Sequence, residues 1–271
     1  MKEPYLQVLI STYGADGIQR LVSSNYPSVE GVEYIVSWQQ PAGEVPEEIS
    51  SREDFKVYRT DSRGLSRNRN ETLRKAGAPV VLIADDDLIY DSGALRKLME
   101  YHQNNPEIGI VCAHITVGGK QLPTWSDEEF TLNPLPDGYY FVSCEMSVKR
   151  EVLEKSGVVF NELMGVGAPV LGCGEEEIFG RSLLRKGVKG TCIPLLLANH
   201  PGLSSGERLS ADPSYIMSRG ALLRFVHPRD WMLKIPLWTY YSCRGKSLSP
   251  FKAIQWLYKG AVYSKKMNLF N

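Results

Sequence analysis

Three carboxylates stand side by side at Asp85-Asp86-Asp87, directly after the apolar run Val80-Val81-Leu82-Ile83-Ala84. That run predicts a strand buried on both faces, as in the middle of a parallel sheet covered by helices. Ligands of open α/β sheets bind outside the carboxyl ends of such strands. Adjacent carboxylates repel one another there, and a divalent cation relieves the repulsion. Oxygen ligands suit Mg²⁺ or Mn²⁺, which in turn hold diphosphates. An acidic turn that caps the next segment is the competing reading. A second acidic cluster, Gly174-Glu175-Glu176-Glu177, sits where a glycine-rich stretch gives way to a helical pattern. Acids in a first helical turn complement the macrodipole, and a carboxylate on so firm a base can also act as a general base. His200, in Asn199-His200-Pro201-Gly202, follows the apolar stretch Ile193 to Ala198. A neutral imidazole there could complete a metal site begun by Asp87. His102, His114 and His227 lack such a setting and read as structural.

The segments around these residues alternate between strand and helix. Strands are predicted at Tyr5–Ser11, Val32–Ser37, Phe55–Tyr58, Val80–Ala84 and Ile108–Ala113. Helices are predicted at Gly17–Ser24, at Leu65–Ala76 with Leu65, Leu73 and Ala76 on one face, and at Gly93–Gln103 behind a Ser92 cap. Such alternation implies an α/β layer fold with right-handed crossovers. Further on, residues 118–138 read as a loop, Tyr139–Val148 as a strand and Lys149–Ser156 as a short helix. A glycine-rich loop, 157–174, then precedes a helix at Glu175–Lys186.

Composition bounds the function. The 271 residues carry 31 Lys/Arg and 31 Asp/Glu, which argues against a nucleic-acid binder, and 43 % are hydrophobic, ordinary for a globular chain. No apolar run approaches the ~20 residues of a spanning helix, and Met1-Lys2-Glu3-Pro4 has no apolar secretory core. Five widely spaced cysteines without a C-x-x-C pair predict neither a disulfide framework nor structural zinc. These features together predict a cytoplasmic chain. Neutrality hides an asymmetry: residues 224–271 hold nine bases against one acid, Asp230, and ten aromatics, whereas residues 1–223 hold 22 bases against 30 acids. The shift predicts a boundary near residue 224, with a basic, aromatic-rich helical extension over 224–271.

In their order, five segments resemble the inverting family-2 glycosyltransferases of the GT-A fold, over about residues 5 to 210. Val8-Leu9-Ile10-Ser11-Thr12-Tyr13 is similar to the opening strand and its polar end. Gly64-Leu65-Ser66-Arg67-Asn68-Arg69-Asn70 is similar to the "GLS..RN" segment. Val81-Leu82-Ile83-Ala84-Asp85-Asp86-Asp87 is similar to the strand that carries the D-x-D motif. Cys144-Glu145-Met146-Ser147-Val148-Lys149-Arg150 is similar to the "N-M-[AS]-[FV]-[RK]-R" strand. Gly174-Glu175-Glu176, followed by Arg185-Lys186-Gly187, is similar to the "G-E-D…R-K-x-G" helix.

The resemblance implies a GT-A domain over 1–223, a Rossmann-like, mostly parallel sheet flanked by helices. It implies transfer of a hexose-type sugar from a nucleotide-sugar, UDP-sugar above others, to a glycan or lipid-linked acceptor in bacterial surface-polysaccharide synthesis. Thr12, Tyr13 and Arg69 would line the nucleotide pocket and Asp85 would meet the ribose. Asp87, with Asp85 and His200, would hold Mn²⁺ or Mg²⁺. Glu176 stands where the family has its aspartate base, with Glu175 before it and Glu177 leaving a one-residue ambiguity. One stretch departs from the family: its second strand ends in an Asp-Asp-Gly-Ser-like turn, and here Ser37-Trp38-Gln39-Gln40 stands instead. Trp38 could stack on a base and Gln39 could hydrogen-bond uracil. A nucleotidyltransferase would need an Arg and a Lys in the loop Ser11 to Gly17, and a dinucleotide oxidoreductase would need G-x-G-x-x-G. A non-catalytic sugar-nucleotide or carbohydrate-binding protein that keeps the fold is the alternative from another class. In the extension, Trp231, Leu233, Ile235, Leu237 and Trp238 lie beside Arg229 and Lys234. Phe251, Ile254, Leu257, Tyr258 and Ala261 recur at helical spacing beside Lys252, Lys259, Lys265 and Lys266. Residues 228–266 therefore predict peripheral contact with anionic lipid at the inner face of the cell membrane, with some helix packed on the domain.

Overall fold

The computed structural model describes residues 3–202, 212–244 and 248–266, with only the backbone at Lys266. Two compact units emerge. The first comprises Met1–Arg63, Arg67–Val159 and Phe179–Leu203, and the second Gly64–Ser66, Phe160–Ile178 and the chain from Ser204 onward.

The first unit is built on one mixed sheet. Its strands are β1 (Leu6–Tyr13), β2 (Val32–Gln39), β3 (Phe55–Thr60), β4 (Val80–Asp85), β5 (Ile89–Tyr90), β6 (Ile110–Val117), β7 (Lys120–Gln121), β8 (Phe130–Thr131), β9 (Met146–Lys149) and β10 (Gly190–His200). Their order is β3-β2-β1-β4-β9-β6-β10-β5, with β7 on β6 and β8 on β10. Pairs β3–β2, β2–β1, β1–β4 and β6–β10 are parallel, and β9 runs antiparallel between β4 and β6. The apolar run Val80–Ala84 is fully buried in β4, which explains why it carries no polar alternation. Parallel register sets Asp85 of β4 level with Ser11 of β1, and Tyr13 of β1 level with Gln39 of β2. The chemistry-bearing ends thus share one edge of the sheet.

Helices α1 (Gly14–Ser24), α2 (Glu47–Ser50), α4 (Ser92–Asn104) and α5 (Arg150–Ser156) belong to this unit, while α3 (Leu65–Lys75) and α6 (Glu175–Arg185) begin in the second and continue in the first. Asp91, not Ser92, caps α4, accepting the Ala94 N–H at 2.7 Å. The expected strand over 139–148 shortens to β9 behind a 3₁₀ turn at Ser143–Glu145. In α3 the expected apolar face is replaced: Leu65 and Leu73 are half-buried, while Asn68, Arg69, Asn70 and Thr72 are buried. This hidden face is polar because it serves strand ends. Asn68 Nδ2 donates to the Thr12 carbonyl at 3.1 Å.

In the second unit, α7 (Pro213–Val226), α8 (Trp231–Cys243) and α9 (Pro250–Lys266) follow one another. The boundary expected at residue 224 falls inside α7, whose Leu223 and Phe225 are both buried. Helices α7 and α9 touch backbone to backbone. A Cβ on Gly260 would lie 1.8 Å from the Met217 carbonyl oxygen, and one on Gly220 would lie 1.9 Å from that of Leu257. Ala253, Leu257 and Ala261 of α9 are buried, while Phe251, Ile254, Tyr258 and Val262 form an exposed stripe on its opposite side. Helix α8 likewise buries Trp231 and exposes Met232, Leu233, Leu237, Tyr240 and Tyr241. Among the described residues, no helix is long and apolar enough to cross a membrane.

The glycine contact gives a direct test. Gly260→Ala should lower stability by about 1–3 kcal/mol through overpacking, read as a lower urea midpoint. An unchanged midpoint would show that the helices do not meet at this position.

Candidate functional site

The residues 85–87 go three separate ways. Asp85 Oδ1 accepts from Arg69 Nη2 at 3.1 Å and Oδ2 from the Cys144 thiol at 3.3 Å. Asp86 is buried, accepting Arg20 Nε at 2.9 Å, Arg20 Nη2 at 3.0 Å and the Thr12 hydroxyl at 2.6 Å. Burial still outweighs these partners and raises the Asp86 carboxyl to about 6. Gly17 makes the Thr12 bond sterically feasible, since a Cβ there would lie 2.3 Å from Thr12 Oγ1. Asp87 meets His200, with Oδ2 3.3 Å from Nε2. Two arginines therefore already answer part of the repulsion that a cation was expected to relieve, at Asp85 and Asp86.

The short strand β5 brings Asp87 and His200 together. Ile89 pairs with Asn199 and Tyr90 with Ala198, antiparallel, so the turn after β4 folds back on the end of β10. His200 Nδ1 lies 2.9 Å from the Gly202 carbonyl. A carbonyl only accepts, so the proton of the neutral ring sits on Nδ1 and the Nε2 lone pair faces Asp87. Two acceptors so placed call for a proton or a cation. Asp87 Oδ1 is also buried and has no partner among the described residues. A histidine held through its other nitrogen by a backbone carbonyl is the usual support for a metal ligand, so the pair fits a divalent ion. Among the described residues no three His, Cys, Asp or Glu side chains converge as a cage. Asp85, expected as a third ligand, is drawn away by Arg69 and Cys144. Two protein ligands would leave coordination positions for phosphate and water, as Mg²⁺-type sites do.

The expected nucleotide-facing residues separate by exposure. Tyr13 is 53 % exposed at the end of β1. Thr12 is buried, with its hydroxyl committed to Asp86, so its side chain does not face a pocket. Trp38 cannot stack on a base: it is fully buried, its indole N–H donates to the Gly14 carbonyl at 2.8 Å, and Arg59 lies over its ring. Gln39 is buried, with its amide on Ser62 Oγ at 2.8 Å. Arg69 is buried and joins Asp85 to Ser143, so it reaches the site through Asp85. In the second unit, Glu175 and Glu177 at the start of α6 are buried, and Glu176 alone of the three is half-buried. Nearby, the Ser66 hydroxyl donates to the Met164 carbonyl at 2.6 Å and the Leu65 N–H to that of Val166 at 2.9 Å. The glycine-leucine-serine segment thus pins the loop that precedes α6.

A buried acid escaped the sequence reading. Glu145 is 1 % exposed, accepts the Ile115 N–H at 3.1 Å, and its Oε1 lies 3.9 Å from Nδ1 of equally buried His114. Burial pushes the Glu145 carboxyl up to about 8 and the His114 imidazole down, so the pair is mostly neutral at pH 7. Trp125 stacks on His114 with centroids 4.6 Å apart, anchoring the 118–138 loop.

Residues 30–156 match glycosyl transferase family 2. No curated protein matches the chain. Among solved structures, TarS of S. aureus superposes with a TM-score of 0.59 at 16 % identity, over 96 % of this chain but 43 % of TarS. Its 1–349 portion gives a TM-score of 0.62 at 14 % identity, over 97 % of this chain and 91 % of that portion. The same portion in complex with UDP-GlcNAc gives a TM-score of 0.59 at 15 % identity, over 96 % and 72 %. The fold is therefore of the GT-A type. The chain spans less than half of the first of these TarS chains.

Glu145 supplies a pH test. Its folded-state value lies above its ordinary 4.5, so below pH 4.5 burial carries no ionisation penalty. Stability from this group then falls as pH rises towards 8, and is level above it. Glu145→Gln keeps the acceptor for Ile115 and cannot ionise. Its stability relative to wild type, from urea midpoints at pH 5, 7 and 9, should rise from 5 to 9. A constant difference would contradict the buried acid.

Proposed function

Residues 30–156 place the chain among the family-2 glycosyltransferases, and from that premise we propose metal-dependent, inverting transfer of a sugar from a UDP-sugar to a hydroxyl of a glycan or lipid-linked acceptor in polysaccharide synthesis. The observation that carries this reading is the pair Asp87–His200 with its orphaned Asp87 oxygen. UDP is favoured because the similar TarS portion has been solved with UDP and with UDP-GlcNAc. Tyr13, the exposed aromatic at the end of β1, packs on the nucleotide, and Asp85 accepts from the ribose.

Asp87 and His200 would hold Mn²⁺ or Mg²⁺, and the ion would neutralise charge on the departing diphosphate. Glu176 takes the proton of the acceptor hydroxyl as its oxygen attacks the anomeric carbon. One carbon–oxygen bond forms as the bond to the diphosphate breaks on the opposite face, so the configuration inverts. A helix start holds the Glu176 carboxylate firmly, and its half-buried position leaves it approachable, whereas Glu175 and Glu177 are buried.

The acceptor chemistry gives the second unit a role at the cytoplasmic face of the membrane. Phe251, Ile254, Tyr258 and Val262 are exposed on one side of α9, with Lys252, Lys259 and Lys265 beside them. Apolar and aromatic groups with flanking lysines suit an anionic lipid interface, while Ala253, Leu257 and Ala261 hold the helix down on α7.

Thermal shift with UDP-, GDP- and dTDP-sugars tests the donor. UDP-sugars should stabilise the wild type with Mn²⁺ and not with EDTA, and Asp87→Ala should lose the shift. A shift insensitive to EDTA would contradict the metal role. Glu176→Gln should bind donor and lose roughly 10²–10⁴-fold in transfer. If Glu177→Gln is the inactive variant instead, the base lies one residue on. Donor binding without transfer by the wild type, across acceptors, would favour the non-catalytic alternative. For the membrane, Phe251→Asp/Tyr258→Asp should abolish flotation with anionic vesicles without changing the urea midpoint. Equal flotation of variant and wild type would remove the lipid role from this face.

A further inference from the structure

The carboxylate of Asp85 is held from the protein side by both of its oxygens. Arg69 Nη2 donates to Oδ1 at 3.1 Å and also to Ser143 Oγ at 2.8 Å, so one guanidinium joins the carboxylate to the turn at Ser143–Glu145. Cys144, in the same turn, aims its sulfur at Oδ2 from 3.3 Å. The Tyr26 hydroxyl donates to the backbone carbonyl of Asp85 at 2.5 Å. Arg69, Cys144 and Tyr26 are all buried, while the Asp85 side chain is one-third exposed. One side of the carboxylate is therefore fixed and the other is open.

We infer that the Ser143–Cys144 turn is a positioning element for the donor, in which the Cys144 thiol sets the rotation of the Asp85 carboxylate. An aspartate rotates readily about its last torsion. Arg69 alone anchors one oxygen and leaves that rotation open. A donor on the second oxygen closes it. Each carboxylate oxygen has a further lone pair, so a carboxylate held in this way still accepts from a ribose hydroxyl. Towards Asp85 the thiol is the donor. Burial and the adjacent Asp85 charge hold its proton on, well above the ordinary thiol range. Cys144 also lies within the apolar core cluster that includes Tyr26 and Tyr90. Its size fits that packing and its S–H serves the site, and serine would supply the second property alone. Cys144 touches no reacting atom, so its effect is expected on donor affinity rather than on the chemical step.

This inference rests on the reading of Asp85 as the ribose acceptor, and the experiment separates the two. Donor KM and kcat are measured with a UDP-sugar for wild type, Cys144→Ala, Cys144→Ser and Asp85→Ala. Losing one weak hydrogen bond to a charged group should raise the donor KM of Cys144→Ala about three- to ten-fold, with kcat within about two-fold. Cys144→Ser should recover most of that loss. The S–H stretching band of Cys144, identified by its loss in Cys144→Ala, should move to higher frequency in Asp85→Ala. A merely structural cysteine would lower the melting temperature in both Cys144 variants and leave KM and the band unmoved, which overturns the inference. Asp85→Ala raising KM while Cys144→Ala does not would overturn the role of Cys144 alone. Unchanged donor KM in Asp85→Ala would overturn the ribose reading and the inference with it.

Discussion

Three negative charges on consecutive residues at the end of one strand are the constraint from which the first unit is organised. Two like charges about 4 Å apart near a protein surface repel by about 4 kcal/mol, so residues 85–87 draw compensation from elsewhere in the fold. Asp85 is answered by Arg69 of α3 and Asp86 by Arg20 of α1, while Asp87 faces His200 at the end of β10, where a proton or a cation completes the compensation. Each answer recruits a different element. Helix α3 must hide a polar face, α1 must carry Gly17 under Thr12, and the chain after Asp87 must fold back as β5. The division also sorts the three acids by role: the middle one ties helix to sheet, and its neighbours remain partly open to solvent.

The second unit answers a different demand. Its helices α7 and α9 meet at Gly220 and Gly260 so closely that each stands against the other's backbone. Such contact buries Ala253, Leu257 and Ala261, and frees the opposite side of α9 to remain apolar and exposed. The same unit holds the start of α6, where Glu176 is more accessible than its two acidic neighbours. Ser66 and Leu65 pin the preceding loop through two carbonyls. The motif at 64–66 thus has a structural duty in addition to any chemical one.

Much of this was legible in the sequence where burial is uniform or periodicity is long. The apolar run of β4, the acids that follow it and the helical spacing of α9 all read directly. The amphipathic reading of α9 joined both of its sides into one set, because spacing alone does not say which apolar side meets a neighbour. Trp38 was misread because a strand buried along its whole length gives no sign of which side of an aromatic is open. The polar buried face of α3 ran against the usual apolar stripe, and its reason lies in strand ends far away in sequence. Strand β5 is two residues long and has no periodicity to detect. Glu145 went unnoticed as an acid within a short strand-like segment, where charge ordinarily signals exposure.

The central claim is that Asp87 and His200 together hold a divalent cation at the diphosphate. Electron spin-echo spectroscopy of Mn²⁺ in the complex with UDP tests it most directly. The wild type should show a modulation from one directly coordinated imidazole nitrogen, which His200→Ala removes. Mn²⁺ bound with UDP but with no nitrogen coupling, or with a coupling that survives in His200→Ala, would contradict the account.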